Sequence, residues 1–236
     1  MKTVILYFKY ALCSFIFTTS VQAQLAPHVY HGDEKDTNIH HEVKLNGDYF
    51  VHTTYETSPP NFISTIGGYY TSDADSLNIK LEFNSNFEND SIKVVHYGYE
   101  IKGETLVLKG AKELILKASP SRAQDLDGTW LFATRGPDTG QDRRGDSTPR
   151  KTLKFLMDGH FQWIAYHTET MRFSGTGGGS FTSKDGIYVE NIEYFSRDND
   201  RVGAVLDFNY ELKGDDWHHT GKNSRGEPMY EIWARR

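Results

Sequence analysis

An internal repeat constrains this chain more than any other feature. Gly47 in Leu45-Asn46-Gly47-Asp48-Tyr49 matches Gly159 in Met157-Asp158-Gly159-His160-Phe161 at a shift of 112. One residue later the shift becomes 111 and holds. Phe62 then falls on Phe173, Gly67-Gly68 on Gly178-Gly179, Thr71-Ser72 on Thr182-Ser183 and Glu82 on Glu193. Tyr99-Glu100 falls on Tyr210-Glu211, Lys102-Gly103 on Lys213-Gly214 and Gly110 on Gly221. Order and spacing kept over that length mark a duplication. The first copy is residues 24–119 and the second 126–236, with 120–125 as a linker, because Ala118-Ser119-Pro120-Ser121 breaks the strand pattern. Apolar residues alternate in short runs, aromatics reach 14% and no long segment carries a 3.6 period, so each copy is expected to be antiparallel all-β.

The copies differ at their starts. Leu126-Asp127-Gly128-Thr129-Trp130 reads as the opening strand of the second copy. At a constant shift its counterpart falls within residues 1–23, which read as an export signal. Lys2 and Lys9 give a basic start, Tyr10 to Phe17 are mainly apolar, and Val21-Gln22-Ala23 is a small-x-small cleavage site. The first copy is therefore expected to lack its opening strand and to cover the open edge against the second. A membrane helix is the alternative for residues 1–23, but the apolar run is short and broken by Ser14, Thr18, Thr19 and Ser20. No later stretch could span a bilayer, and the expected location is periplasmic or secreted.

The one cysteine, Cys13, lies inside that signal, so residues beyond Ala23 offer no disulfide and no thiol nucleophile. Removing Lys2 and Lys9 moves the net charge from −6 to −8, which argues against nucleic acid as a partner. The oligomeric state stays open. His28, His31, His40 and His41 lie in a polar stretch and are expected in an exposed arm, with no metal site assigned.

The duplication supplies an internal control: positions alike in both copies serve the fold, and positions that turn polar in one copy are candidates for function. Strand Phe161–His167 puts Phe161, Trp163, Ala165 and His167 on one face, matched to Tyr49, Val51, Thr53 and Tyr55. His167 then lines a barrel mouth, or simply fills it as Tyr55 would. Strand Tyr188–Tyr194 puts Tyr188, Glu190, Ile192 and Tyr194 on one face, matched to the apolar Leu77, Ile79, Leu81 and Phe83. A carboxylate there needs a partner or a task; the plainer alternative pairs Glu190 with Arg172 or turns the row to solvent. Glu82 and Glu193 occur in both copies and read as structural. Tyr210 is expected on an inward row. Arg143 and Arg144 lie in the long connection 135–151, which either clamps an anion over the mouth or is a solvated loop. His218 and His219 read as exposed turn residues.

Gly128-Thr129-Trp130, with Arg235 or Arg236 to cover the indole, resembles the Gly-x-Trp and terminal Arg of lipocalin-like barrels. Asp158–Trp163, Gly177–Thr182 and Tyr188–Phe195 add to a resemblance, over Leu126 to Arg236, to a secreted bacterial lipocalin-like family. The resemblance implies tandem lipocalin-like antiparallel barrels packed together. It is also similar to secreted proteins of algal polysaccharide breakdown proposed to dehydrate uronic acids at oligosaccharide ends, as on ulvan fragments.

No phosphate loop, nucleophile elbow, zinc signature or dinucleotide fingerprint is present, and no cofactor is expected. An aromatic cavity with His167, Glu190, Tyr188 and Tyr194 as acid–base groups suits β-elimination next to a carboxylate. Trp163 would stack on the sugar, and Arg172, Tyr210, Arg143 and Arg144 would bind it. Two functions are carried forward: a hydro-lyase acting on a terminal uronate, and a non-catalytic carrier of a sugar or small apolar ligand.

Overall fold

The computed structural model describes residues 25–223 and 225–236, so the expected export signal lies outside the described residues. Eight strands form the first barrel: β1 (His28–Asp33), β2 (Ile39–Asn46), β3 (Tyr49–Thr57), β4 (Pro60–Ser72), β5 (Ser76–Asn84), β6 (Val94–Lys102), β7 (Thr105–Lys109) and β8 (Glu113–Ala118). A single helical turn, α1 (Phe87–Asp90), connects β5 to β6. Eight more form the second: β9 (Gly128–Arg135), β10 (Arg150–Met157), β11 (His160–His167), β12 (Phe173–Lys184), β13 (Ile187–Phe195), β14 (Val205–Lys213), β15 (Asp216–Lys222) and β16 (Pro228–Arg235). Both are closed, each strand pairing antiparallel with its chain neighbours and the first with the last. Closure leaves neither sheet an open edge. No helix among the described residues is long and apolar enough to cross a membrane.

The expected missing strand is present. β1 opens the first barrel, and Tyr30 pairs with Val43 as Trp130 pairs with Lys154. Val43 and Lys154 are 111 apart, whereas Tyr30 and Trp130 are 100 apart. The stretch from Trp130 to Lys154 is longer than that from Tyr30 to Val43 by those eleven residues, so a constant shift points into residues 1–23 by mistake. Tyr30 thus holds the place of Trp130. His28, His31, His40 and His41 consequently sit in strands β1 and β2 rather than in an exposed arm, and His41 is buried.

Trp130 closes the second barrel as expected. Arg235 lies over its ring with the guanidinium 3.9 Å from the centroid and donates to the Asp127 carbonyl at 2.7 Å. Gly128 has φ of 135°, and a Cβ there would run into the Arg235 guanidinium. The glycine therefore admits a side chain, not a neighbouring backbone.

One irregularity sets which side chains face where. A bulge falls between Gly67 and Gly68 opposite Glu82, and again between Gly178 and Gly179 opposite Glu193. Side chains alternate strictly along a regular strand, so one extra residue reverses every face beyond it. Leu77, Ile79 and Leu81 point into the first barrel and Phe83 points out. Tyr188 and Ile192 belong to the second barrel's core with Phe195, while Tyr194 points out to the first barrel, where it donates to Glu42 at 3.1 Å. The row Tyr188–Tyr194 is therefore split. Pairing also corrects the reading of β11: Phe50 and Phe161 oppose the equivalent Gly68 and Gly179, so the shift there is 111. The inward counterparts of Phe161 and Trp163 are Phe50 and His52.

The barrels pack through β3, β4 and β5 against β11 and β13 about an approximate twofold. Phe62 and Phe173, equivalent residues, stack on each other with centroids 6.2 Å apart. Tyr166 contacts Phe83 at 5.0 Å, and its counterpart Tyr55 contacts Tyr194 at 4.6 Å. Buried Gln162 bonds Thr53 at 3.0 Å, Thr65 at 3.1 Å and Thr176 at 3.1 Å, which satisfies its amide inside the interface.

Candidate functional site

The two interiors differ. The first barrel is filled by Tyr30, Val43, Leu45, Phe50, Leu77, Ile79, Leu81 and their neighbours, with Phe87 of α1 packed onto that core. The matching connection in the second barrel is a single 3-10 turn, Asn199–Arg201, which brings Arg201 to the wall of a cavity of about 340 Å³. That volume is within the ordinary range for small-molecule pockets. Phe195, Leu206, Lys222, Asn223 and Met229 form its rim at one end of the barrel. Half-buried Trp163 and Glu231 and buried Trp233, Phe208, Lys154, Glu190 and His219 complete its lining.

Lys154 is the centre of the site. Its ammonium donates to Glu190 Oε1 at 2.8 Å and sits 4.9, 4.8 and 5.2 Å from the ring centroids of Tyr188, Trp217 and Trp233. Tyr188 donates to the same Glu190 oxygen at 2.7 Å. The pair is desolvated, with 6% of each side chain exposed. Burial and the neighbouring carboxylate push the Tyr188 phenol well up, so it remains a donor.

His219 is the second unusual group. It is 2% exposed, and neither ring nitrogen has a hydrogen-bond partner among the described residues. Burial, helped by the Lys154 charge, holds its pKa well below the usual range, so the imidazole is neutral. Its Nδ1 lies 3.9 Å from Glu231 Oε2, which accepts from the Trp233 indole at 3.2 Å. A buried polar group without a partner calls for an explanation, and here it faces a cavity.

Of the residues expected from sequence, the structure gathers Trp163 and Glu190 at the cavity, with Tyr188 bonded to Glu190. The others lie elsewhere. His167 ends β11, and its Nδ1 accepts from the Thr170 backbone at 3.4 Å. Arg172 is exposed in the turn that follows, and the partner of Glu190 is Lys154, not Arg172. Tyr210 donates to Asp125, and burial with that carboxylate raises its pKa to about 12. Arg143 pairs with Asp216 and Asp138. Arg144 stacks 4.3 Å over Phe132, and burial lowers its pKa. His219, expected in an exposed turn, is inside β15, because the turn is Gly214-Asp215. Alternation alone singles out neither Lys154 nor Glu231: a lysine in a strand reads as a solvent residue, although its stem is apolar enough to be buried, and only its apolar counterpart Val43 marks Lys154 as unusual.

No protein-family model matches the chain, and no curated protein matches it.

Proposed function

We propose that the second barrel binds a small ring-bearing carboxylate, with the terminal uronate of an algal polysaccharide-derived oligosaccharide as the candidate class. The observation that carries this is Lys154, a buried cation beneath an aromatic cavity that also holds the unpartnered His219. An apolar wall suits a sugar face, and Trp163 and Trp233 offer it. The lining carries three cations, Lys154, Arg201 and Lys222, against two carboxylates, Glu190 and Glu231, which favours an anion. The resemblance to secreted lipocalin-like proteins of polysaccharide breakdown agrees with this class.

A second reading, elimination of water from that uronate, is favoured by the neutral His219 in particular. In it the imidazole takes over the role expected of His167 and accepts the proton alpha to the carboxylate. Lys154 stabilises the enediolate charge. The beta hydroxyl then leaves as water, taking the proton back from the imidazolium, and an unsaturated uronate results.

Calorimetry with glucuronate-ended oligosaccharides tests binding, and near-ultraviolet absorbance of the same mixtures tests elimination. Saturable binding is expected, weakened about 10- to 100-fold when Lys154→Met and Glu190→Met are combined to keep the core neutral. Binding with no rise in absorbance ends the elimination reading. A rise that His219→Gln abolishes upholds it. Absence of both binding and turnover overturns the proposal.

A further inference from the structure

The approximate twofold relates two halves of the interface between barrels, and they differ in chemistry. One half is an apolar cluster that includes Leu131, Leu153, Phe155, Tyr49, Phe83 and Tyr166. Strand pairing places His31, Glu42, Lys44, His160, Tyr194 and Tyr55 at the corresponding positions of the other half. An interface that folds well with leucine and phenylalanine on one side does not need a glutamate, a lysine and two histidines on the other.

Three side chains of that polar half converge. His31 from β1, Glu42 from β2 and His160 from β11 bring one ligand atom each to within 4.8 Å of one another. His160 Nδ1 is 3.6 Å from Glu42 Oε2. His31 Nε2, Glu42 Oε2 and His160 Nδ1 are all buried without a hydrogen-bond partner among the described residues. The Glu42 side chain is only 1% exposed. Each of these groups is meanwhile fixed from behind. Glu42 Oε1 accepts from Lys44 and from Tyr194. His31 Nδ1 is 2.9 Å from His40 Nε2, and His40 Nδ1 is 2.7 Å from Asp33. His160 Nε2 is 3.4 Å from the Ser119 hydroxyl. Metal-binding histidines ordinarily have this kind of outer support, which sets tautomer and ring orientation.

We propose that His31 Nε2, Glu42 Oε2 and His160 Nδ1 bind a divalent first-row transition ion, of the zinc type, between the two barrels. Two imidazoles and one carboxylate are a donor set for such ions that leaves a position open for water or a further ligand. Ligand bonds of about 2.0–2.1 Å need donor atoms roughly 3.4 Å apart, so the 3.6 Å His160–Glu42 pair is already close and the third donor closes by ring rotation. Lys44 and Tyr194 both bond Glu42 Oε1, which leaves Oε2 to face the ion. The ion would tie β1 and β2 of one barrel to β11 of the other. This site is separate from the second barrel's cavity and stands or falls independently of the ligand proposed there.

Co(II) and Zn(II), added to the whole protein after chelator treatment and dialysis, test it. One Co(II) per chain is expected, with visible ligand-field bands displaced by Zn(II). His160→Gln and His31→Gln should each weaken Co(II) binding about 100-fold or more, since loss of outer support alone costs 10- to 100-fold. His218→Gln, whose ring faces Tyr230, should leave it unchanged. Should a ligand variant fail to fold, the unsubstituted protein still decides, because bound Co(II) must shift the ring protons of His31 and His160. Substoichiometric binding, full affinity in both ligand variants, or paramagnetic shifts confined to other histidines would overturn the site.

Discussion

Lys154→Met lowers the stability of the second barrel by about 3–5 kcal/mol, and adding Glu190→Met restores most of that loss. Removing one member of a buried ion pair strands the other charge without solvent, whereas replacing both by apolar residues of similar volume is often neutral. Glu190 would keep only the Tyr188 hydrogen bond, and three aromatic rings would face a methionine instead of a cation. All four tryptophans, Trp130, Trp163, Trp217 and Trp233, lie in this barrel, so urea unfolding followed by indole fluorescence reads it selectively. A loss under about 1 kcal/mol for the single variant would mean that the pair behaves as a solvated surface pair. The cavity would then not be the desolvated site described above.

Arg236→Leu is expected to cost about 3 kcal/mol and to loosen the barrels from each other. Arg236 donates to Glu82 at 2.8 Å and to Tyr69 at 3.0 Å, and stacks over Tyr49 and Tyr69. Glu82 also accepts from Tyr49 at 2.8 Å and Tyr166 at 2.7 Å, so one guanidinium neutralises a carboxylate shared by both barrels. The exposed Asp146 partner adds little. Arg236→Lys recovers part of the loss, since an ammonium cannot reproduce a planar group stacked between two rings. Burial alone would raise the Glu82 pKa, but the Arg236 guanidinium and the two phenols outweigh it and hold the carboxyl below its ordinary value. A depressed carboxyl stabilises the fold above its unfolded pKa, about 4.3, and loses that contribution as pH falls through the folded value. The gap between wild type and Arg236→Leu should therefore be full at neutral pH and shrink below about pH 4. A gap that stays constant into acid would remove Glu82 from the account.

Much of the fold was legible in the residues. The repeat, the short alternating runs and the tryptophan–arginine closure point to two antiparallel barrels, and the sharing of Glu82 and Glu193 between copies marks them as structural. Both now mark the bulge that turns a strand's outer face towards the partner barrel. What failed did so for local reasons. Eleven extra residues between Trp130 and Lys154 displaced the match of β1 and hid it. The bulge separated Tyr194 from Glu190, although alternation put them on one row. Glu190 was recognisable because an acid replaced an apolar residue between copies. The same test applied to Val43 against Lys154 would have found the site's main cation. It would also mark Glu42, where the second copy has Leu153, whereas His31 is hidden together with β1. Closure of a barrel by residues far apart in the chain is the information that a sequence scan lacks, and Lys154 of β10 and Glu190 of β13 meet only through it.

The central claim, that the second barrel's cavity is the ligand site, is tested most directly by the indole N–H signals of a two-dimensional NMR spectrum during titration with a glucuronate-ended oligosaccharide. Trp163 and Trp233 line the cavity, while Trp130 is buried beneath it with its indole bonded to the Leu126 carbonyl at 2.9 Å. The expected result is saturable movement of the Trp163 and Trp233 signals with Trp130 nearly still, and no such movement with the uncharged reduced oligosaccharide. Unmoved Trp163 and Trp233 signals at saturating ligand, or shifts confined to residues of the first barrel, would contradict it.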